Sequence, residues 1–150
     1  MGLIQLLEHS DRARGTLAYN VYWRGRLIES VREENLIVDN MKTMMSHLVA
    51  GDTTNRTITK IGFGSDGTSP IASNTTLTDL YARTIGAASY PTSSSVQFAW
   101  ELQSTEANGL SIREFALLSA NNGMFARRTR ATAIVKTSDI SLTGTWGISF

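Results

Sequence analysis

From Thr16 to Trp23 the chain alternates: Leu17, Tyr19, Val21 and Trp23 fall on one side of an extended chain, and Ala18, Asn20 and Tyr22 on the other. A period of two is that of a half-buried strand. Arg24-Gly25 supplies a turn. Beyond it Leu27, Glu29 and Val31 face one way and Ile28, Ser30 and Arg32 the other, which predicts a β-hairpin whose glycine tolerates positive φ. Leu36 to Val38 reads as a further short strand, and then the period changes. Met41, Met44, Met45, Leu48 and Val49 stand at i, i+3, i+4, i+7 and i+8, the spacing of a helix over about 40–50 with one apolar face. Asp39 or Asn40 is placed to cap its start and Gly51 to close its end, while Lys42, Ser46 and His47 take the wetter side.

Alternation returns from Thr57 to Phe63, and GFGSDGTSP then opens a loop. Leu77 to Ile85 predicts a helical turn followed by a strand, which would pair with the strand Val96 to Leu102 around the turn-prone PTSSS between them. Ile112 to Leu118, Met124 to Arg128, Thr132 to Lys136 and Leu142 to Phe150 complete the strands, with Ala107 to Gly109 and Ala120 to Gly123 as hairpin turn signals. Short strands at this spacing predict a mainly β fold, an antiparallel β-sandwich with one packed α-helix covering a sheet end or the gap between sheets. Residues 16–150 form a single domain on this reading. Residues 1–15 form an N-terminal arm whose Leu3, Ile4, Leu6 and Leu7 are apolar enough to dock on a neighbouring subunit.

Composition sharpens this picture in a few places. Eighteen Thr and 16 Ser beside only 2 Pro favour strands and turns over long helices. The absence of cysteine removes disulfide scaffolds, thiol nucleophiles and thiolate-bound zinc. A net charge of +1 is far from the basic excess of a nucleic-acid binder, so nucleic acid is not an expected partner. No apolar run approaches the roughly 20 residues of a membrane helix, and a soluble, unsecreted chain without membrane contact is expected.

Candidate chemistry is sparse. His9 and His47 stand apart from other ligands at metal spacing, and the carboxylates are scattered rather than clustered. GFGSDGTSP lacks the Gly-Lys-Ser/Thr end of a phosphate loop, and there is no GxSxG nucleophile elbow. The expectation is a non-enzyme without metal or cofactor. The densest positive run is ARRTR; on a strand Arg128 and Arg130 would share one face and Arg127 and Thr129 the other, which splits the charge. Arg127, Arg128 and Arg130 are therefore candidates for pairing at a protein interface, or with Glu114. Tyr19, Tyr22, Trp23, Tyr81, Tyr90 and Trp100 would offer stacking faces to a sugar, although Trp23 and Trp100 lie in apolar alternation and are assigned to the core.

The segments ENLIVDNMKTMMSHLVAG, ITKIGFGSDGTSP, LTDLYARTI, ANGLSIREFALLSANNGMFARRTR and IVKTSDISLTGTWGISF occur in the order found in a family of bacteriophage virion proteins. The chain from Asn35 onward resembles those tail-collar fibre and tail or baseplate attachment proteins. Ile112, Glu114, Leu117, Gly123 and Ala126 match a strand-and-hairpin pattern of that family, with Ala116 and Ser119 standing where it has glycine and aspartate. The resemblance implies a non-enzymatic structural subunit of a tailed-phage virion, assembled in the bacterial host cytoplasm, whose partners are its own copies and other virion proteins. With no fibre shaft after Phe150, a tail, collar or baseplate attachment or adaptor subunit is expected first and a capsid decoration protein second. A carbohydrate-binding receptor-recognition module is the expectation from a different class.

Overall fold

A computed structural model describes residues 13–150. Among them the chain forms nine strands and one helix, in the order β1 (Arg14–Trp23), β2 (Arg26–Ile37), α1 (Asn40–Val49), β3 (Ile58–Gly64), β4 (Tyr81–Thr84), β5 (Ala88–Ser89), β6 (Ser95–Leu102), β7 (Ser111–Ser119), β8 (Met124–Val135) and β9 (Ile140–Ser149). All strand pairs are antiparallel, and the sheet order is β4-β3-β7-β8-β2-β1-β9-β6-β5. The sheet curls into a half-barrel, so its two halves face each other as the layers of a sandwich do. Tyr19 of β1 and Trp100 of β6 come from one half, and Phe63 of β3 and Phe115 of β7 from the other. Their rings meet at centroid distances of 4.9–6.3 Å, which places one shared aromatic core between the layers.

The first hairpin forms as its pattern predicts. Arg24 and Gly25 both take positive φ, 47° and 79°, the primed turn whose twist matches the flanking strands. Leu17, Tyr19 and Val21 are buried, but Trp23, assigned to the core from its alternation, is 43% exposed. It lies at the strand's last position, at the hairpin tip, where no second layer covers it, and the Arg24 guanidinium stacks 4.6 Å from its ring. Arg14 and Gly15, placed in the arm by their composition, already belong to β1, pairing with Ser149 and Ile148.

Three strand assignments need correction. Leu36 and Ile37 are the end of β2 rather than a separate strand, and they are the residues through which the backbone of β2 pairs with β8. The strands expected at Met124 to Arg128 and Thr132 to Lys136 are one twelve-residue strand, β8, which ends at Val135. The strand after Leu77 does not pair with β6: β4 lies on β3, and β6 lies between β9 and the two-residue β5. Between β4 and β5 the Ile85 amide donates to Thr59 O and the Gly86 amide to Ala99 O, so successive residues bond to opposite edges of the curled sheet. For the same reason Ala107 to Gly109 is no hairpin turn. β6 and β7 belong to opposite layers, and residues 103–110 cross from one to the other.

The helix occupies 40–49 and is closed by Gly51 at φ +84°, as expected of a C′ glycine. Asp39 stands at the N-cap position but makes no side-chain cap, whereas Asn40 donates to Met124 O and so ties the helix start to β8. Met44 is buried and Met41 and Met45 pack on the core, but Val49 is 84% exposed. At 3.6 residues per turn Val49 lies about 140° around the helix from Met44, which carries it off the packed face.

Candidate functional site

Beneath the helix the two layers stay apart, because β5 is two residues long and leaves the sheet open there. The result is a groove of about 600 Å3. Met45 and Leu48 from α1, Ile58 from β3 and Phe125 from β8 form one wall; Val96 and Phe98 from β6 and Ile148 from β9 form the other. Ile85 and Gly86 of the crossing segment lie in it, and Tyr90 and Phe150 stand on its rim with 77% and 51% exposure. Arg56 is the one charged residue among the described lining, and its Nε has no hydrogen-bond partner among the described residues. Next to it Asp52 accepts from the Thr54 amide and shares a hydrogen bond of 2.7 Å with His47 Nδ1. These bonds, the His47 one first, hold the Asp52 carboxyl below its ordinary pKa. Concave, apolar and sparsely charged, the groove suits an aliphatic or aromatic ligand or a hydrophobic stretch of polypeptide.

A second constellation lies on the outer face of the other layer, where the loop after β3 covers β7 and β8. Arg127 is 2% exposed and uses its whole fork. Nε and Nη2 donate to Glu114 Oε2 at 3.1 and 2.6 Å, Nη1 to Thr68 O and Asn74 Oδ1, and Nη2 also to Asp66 O. Glu114 Oε1 accepts from the Thr78 amide at 2.7 Å. One buried ion pair thus pins both ends of the loop, and the Gly- and Ser-rich GFGSDGTSP is structural. Asp66 itself is held below its usual pKa by the Thr68 hydroxyl and amide, with a smaller contribution from Arg127.

The other two arginines of the run also find partners within the chain. β2 and β8 separate beyond Leu36, and side chains bridge the opening. Arg128 donates to Glu33 Oε2 at 2.7 Å and to Glu34 O, and Arg130 grips Glu29 with two bonds of 2.7 and 3.2 Å and the Tyr19 hydroxyl at 2.8 Å. Burial raises the Tyr19 pKa, against the lowering effect of Arg130. The split of the run between two faces is as the alternation predicts, and Arg127 takes Glu114, the intramolecular alternative of the sequence reading. Arg127 is buried by its own chain and presents nothing to a partner. Leu3, Ile4, Leu6 and Leu7 lie outside the described residues, as does His9.

Sequence reasoning missed Lys136, which is fully buried and donates to Ser104 O, Asn108 Oδ1 and Thr137 O at 2.9–3.2 Å. Removal from water lowers its pKa, with a partial opposing effect of Glu106. The lysine anchors the crossing segment 103–110, and the only hint in the sequence is its place at the end of an apolar run. The groove was missed too, because each wall residue reads individually as core. The candidate sugar-stacking residues are dispersed: Tyr19 and Trp100 are buried, while Trp23 beside Ile140 and Tyr90 near Gln97 sit at opposite ends of the sheet. Among the described residues no group of three His, Asp or Glu side chains could hold a metal ion, and no helix is long and apolar enough to cross a membrane. No protein-family model, curated protein or solved structure matches this chain.

Proposed function

We propose that this protein is a non-enzymatic structural subunit of a tailed-phage particle, acting at tail, collar or baseplate attachment and binding its neighbour through the groove beside α1. The observation that carries this reading is the groove with its exposed aromatic rim, since exposed apolar concavities of this kind mark sites of association. The segments that resemble tail-collar proteins supply much of one layer, β3 and the β7–β8 hairpin with its Ala120 to Gly123 turn. The buried ionisable groups favour a structural role as well: Glu114 and Arg127 are spent on each other, and Lys136 on two oxygens of the crossing segment and the neighbouring Thr137 O.

Electron cryomicroscopy of the intact particle tests this proposal. Density for the subunit at the tail, collar or baseplate is expected. Copies spread over the capsid shell would replace the attachment role with decoration, and absence from the particle would refute the virion reading.

A further inference from the structure

The groove and the start of β1 lie at the same end of the molecule. Arg14 pairs with Ser149, and the neighbouring Ile148 and Phe150 line the groove. The described chain therefore begins beside the groove mouth, and the twelve residues that precede it in sequence contain the aliphatic set Leu3, Ile4, Leu6 and Leu7 followed at once by Glu8. We propose that the groove is the seat of the Leu3–Leu7 segment of a second copy, exchanged reciprocally so that each arm fills the other chain's groove.

Three observations choose this occupant. The lining is aliphatic and aromatic, as the segment requires. Its one charged residue, Arg56, has a buried Nε without an acceptor among the described residues, and Glu8 directly follows the aliphatic set, so seating the segment brings a carboxylate toward that guanidinium. Reach is sufficient: the ten Cα–Cα steps from Leu3 to Ala13 span up to about 33 Å, against a radius of gyration of about 15 Å for a domain of this size.

The rim decides between a second copy and the chain's own arm. Tyr90 and Phe150 line the rim and are 77% and 51% exposed, so a five-residue segment lying in the groove meets only their inner faces. A second molecule docked on the same end covers them, and a two-fold arrangement of that end sets each arm root beside the partner's groove. This inference concerns the isolated protein and does not depend on where in a particle it resides.

The natural chain has no cysteine, so introduced pairs report unambiguously. Leu6→Cys chains mixed with Ser94→Cys chains, Ser94 being on the exposed groove lip, should form a disulfide-linked heterodimer far faster than either variant links to itself. In sedimentation the full-length protein should be a dimer, and Arg56→Glu should weaken the dimer at least tenfold, with Glu8→Arg restoring it in the same chain. An intrachain disulfide as the main product of the Leu6→Cys/Ser94→Cys double variant, from a full-length protein that stays monomeric, would overturn the exchange in favour of self-docking. A dimer that persists on deleting residues 1–12 would overturn the arm as occupant. If instead the dimer forms as expected but particles lack the subunit, the virion reading fails while this one stands.

Discussion

Replacing Arg127 with methionine keeps the apolar stem, stops short of the guanidinium and removes all five donors. Glu114 then remains buried with the Thr78 amide as its one hydrogen bond, while Thr68 O and Asp66 O lose their donor at the loop and Asn74 Oδ1 keeps only the Ile71 amide. The loop oxygens lie close enough to solvent to recover water. The carboxylate is not, and breaking a buried pair in this way costs about 3–5 kcal/mol. For a domain of this size, about 2–4 °C per kcal/mol makes the expected fall in melting temperature about 6–20 °C. Removing both charges in Arg127→Met/Glu114→Leu should recover most of that loss, because the desolvation cost of the carboxylate goes with it and the Thr78 amide alone stays unsatisfied, at about 1–3 kcal/mol. Urea unfolding of the wild type, both single variants and the double variant closes the cycle. A single-variant cost under about 1 kcal/mol, or a double variant as unstable as the sum of the singles, would refute a buried, mutually dependent pair.

Four further expectations follow from the packing and the titrating groups. Met44→Asp should prevent folding by placing an unpaired charge in the core, whereas Val49→Asp on the same helix should change stability by under about 0.5 kcal/mol; circular dichroism and thermal melting distinguish them. Gly144→Ala should cost about 1–3 kcal/mol, since its new Cβ would come within 2.6 Å of Ala18 O and against the Trp100 ring, while Gly147→Ala meets only Val96 O at 3.9 Å and should be tolerated. Lys136 loses its proton more readily folded than unfolded, so the unfolded state binds more protons in the window below 10.5 and stability gained from this residue rises with pH there. Urea midpoints of wild type minus Lys136→Met across that window should therefore slope upward, and a flat or falling difference would contradict the buried ammonium. Trp100→Ala should cost about 3–5 kcal/mol and Trp23→Ala far less, measured by the same unfolding curves.

Local alternation made the first hairpin, the helix and the inward set of β6 readable, because each depends on residues close in sequence. What alternation cannot carry is which strand lies next to which. Thr84 and Ala88 look like parts of one pairing unit, yet Ile85 and Gly86 bond to opposite edges of the sheet, a choice set by the curl of the other seven strands. Arg127 and Glu114 were visible as a possible pair, but their burial depends on a loop folded over the outer face, and no periodicity announces that. The groove is the least legible feature, since residues such as Phe98 and Phe125 that line it belong to the core as well. Its cause is the length of β5, which only the closed geometry reveals.

Arg14 and Ser149 face each other across neighbouring antiparallel strands, and that fixes how the molecule carries tension. A pull on the chain before Arg14 against one after Ser149 acts across the β1–β9 ladder at its open end, so the bonds break one after another, like a zip. A pull on the Arg14 end of β1 against the Ile140 end of β9, at the hairpin tip, loads the whole ladder in shear and breaks its bonds together, at a much higher force. Hung by the groove end alone, the subunit would yield early and gradually, as a compliant joint; held at both ends, it would behave as a stiff strut.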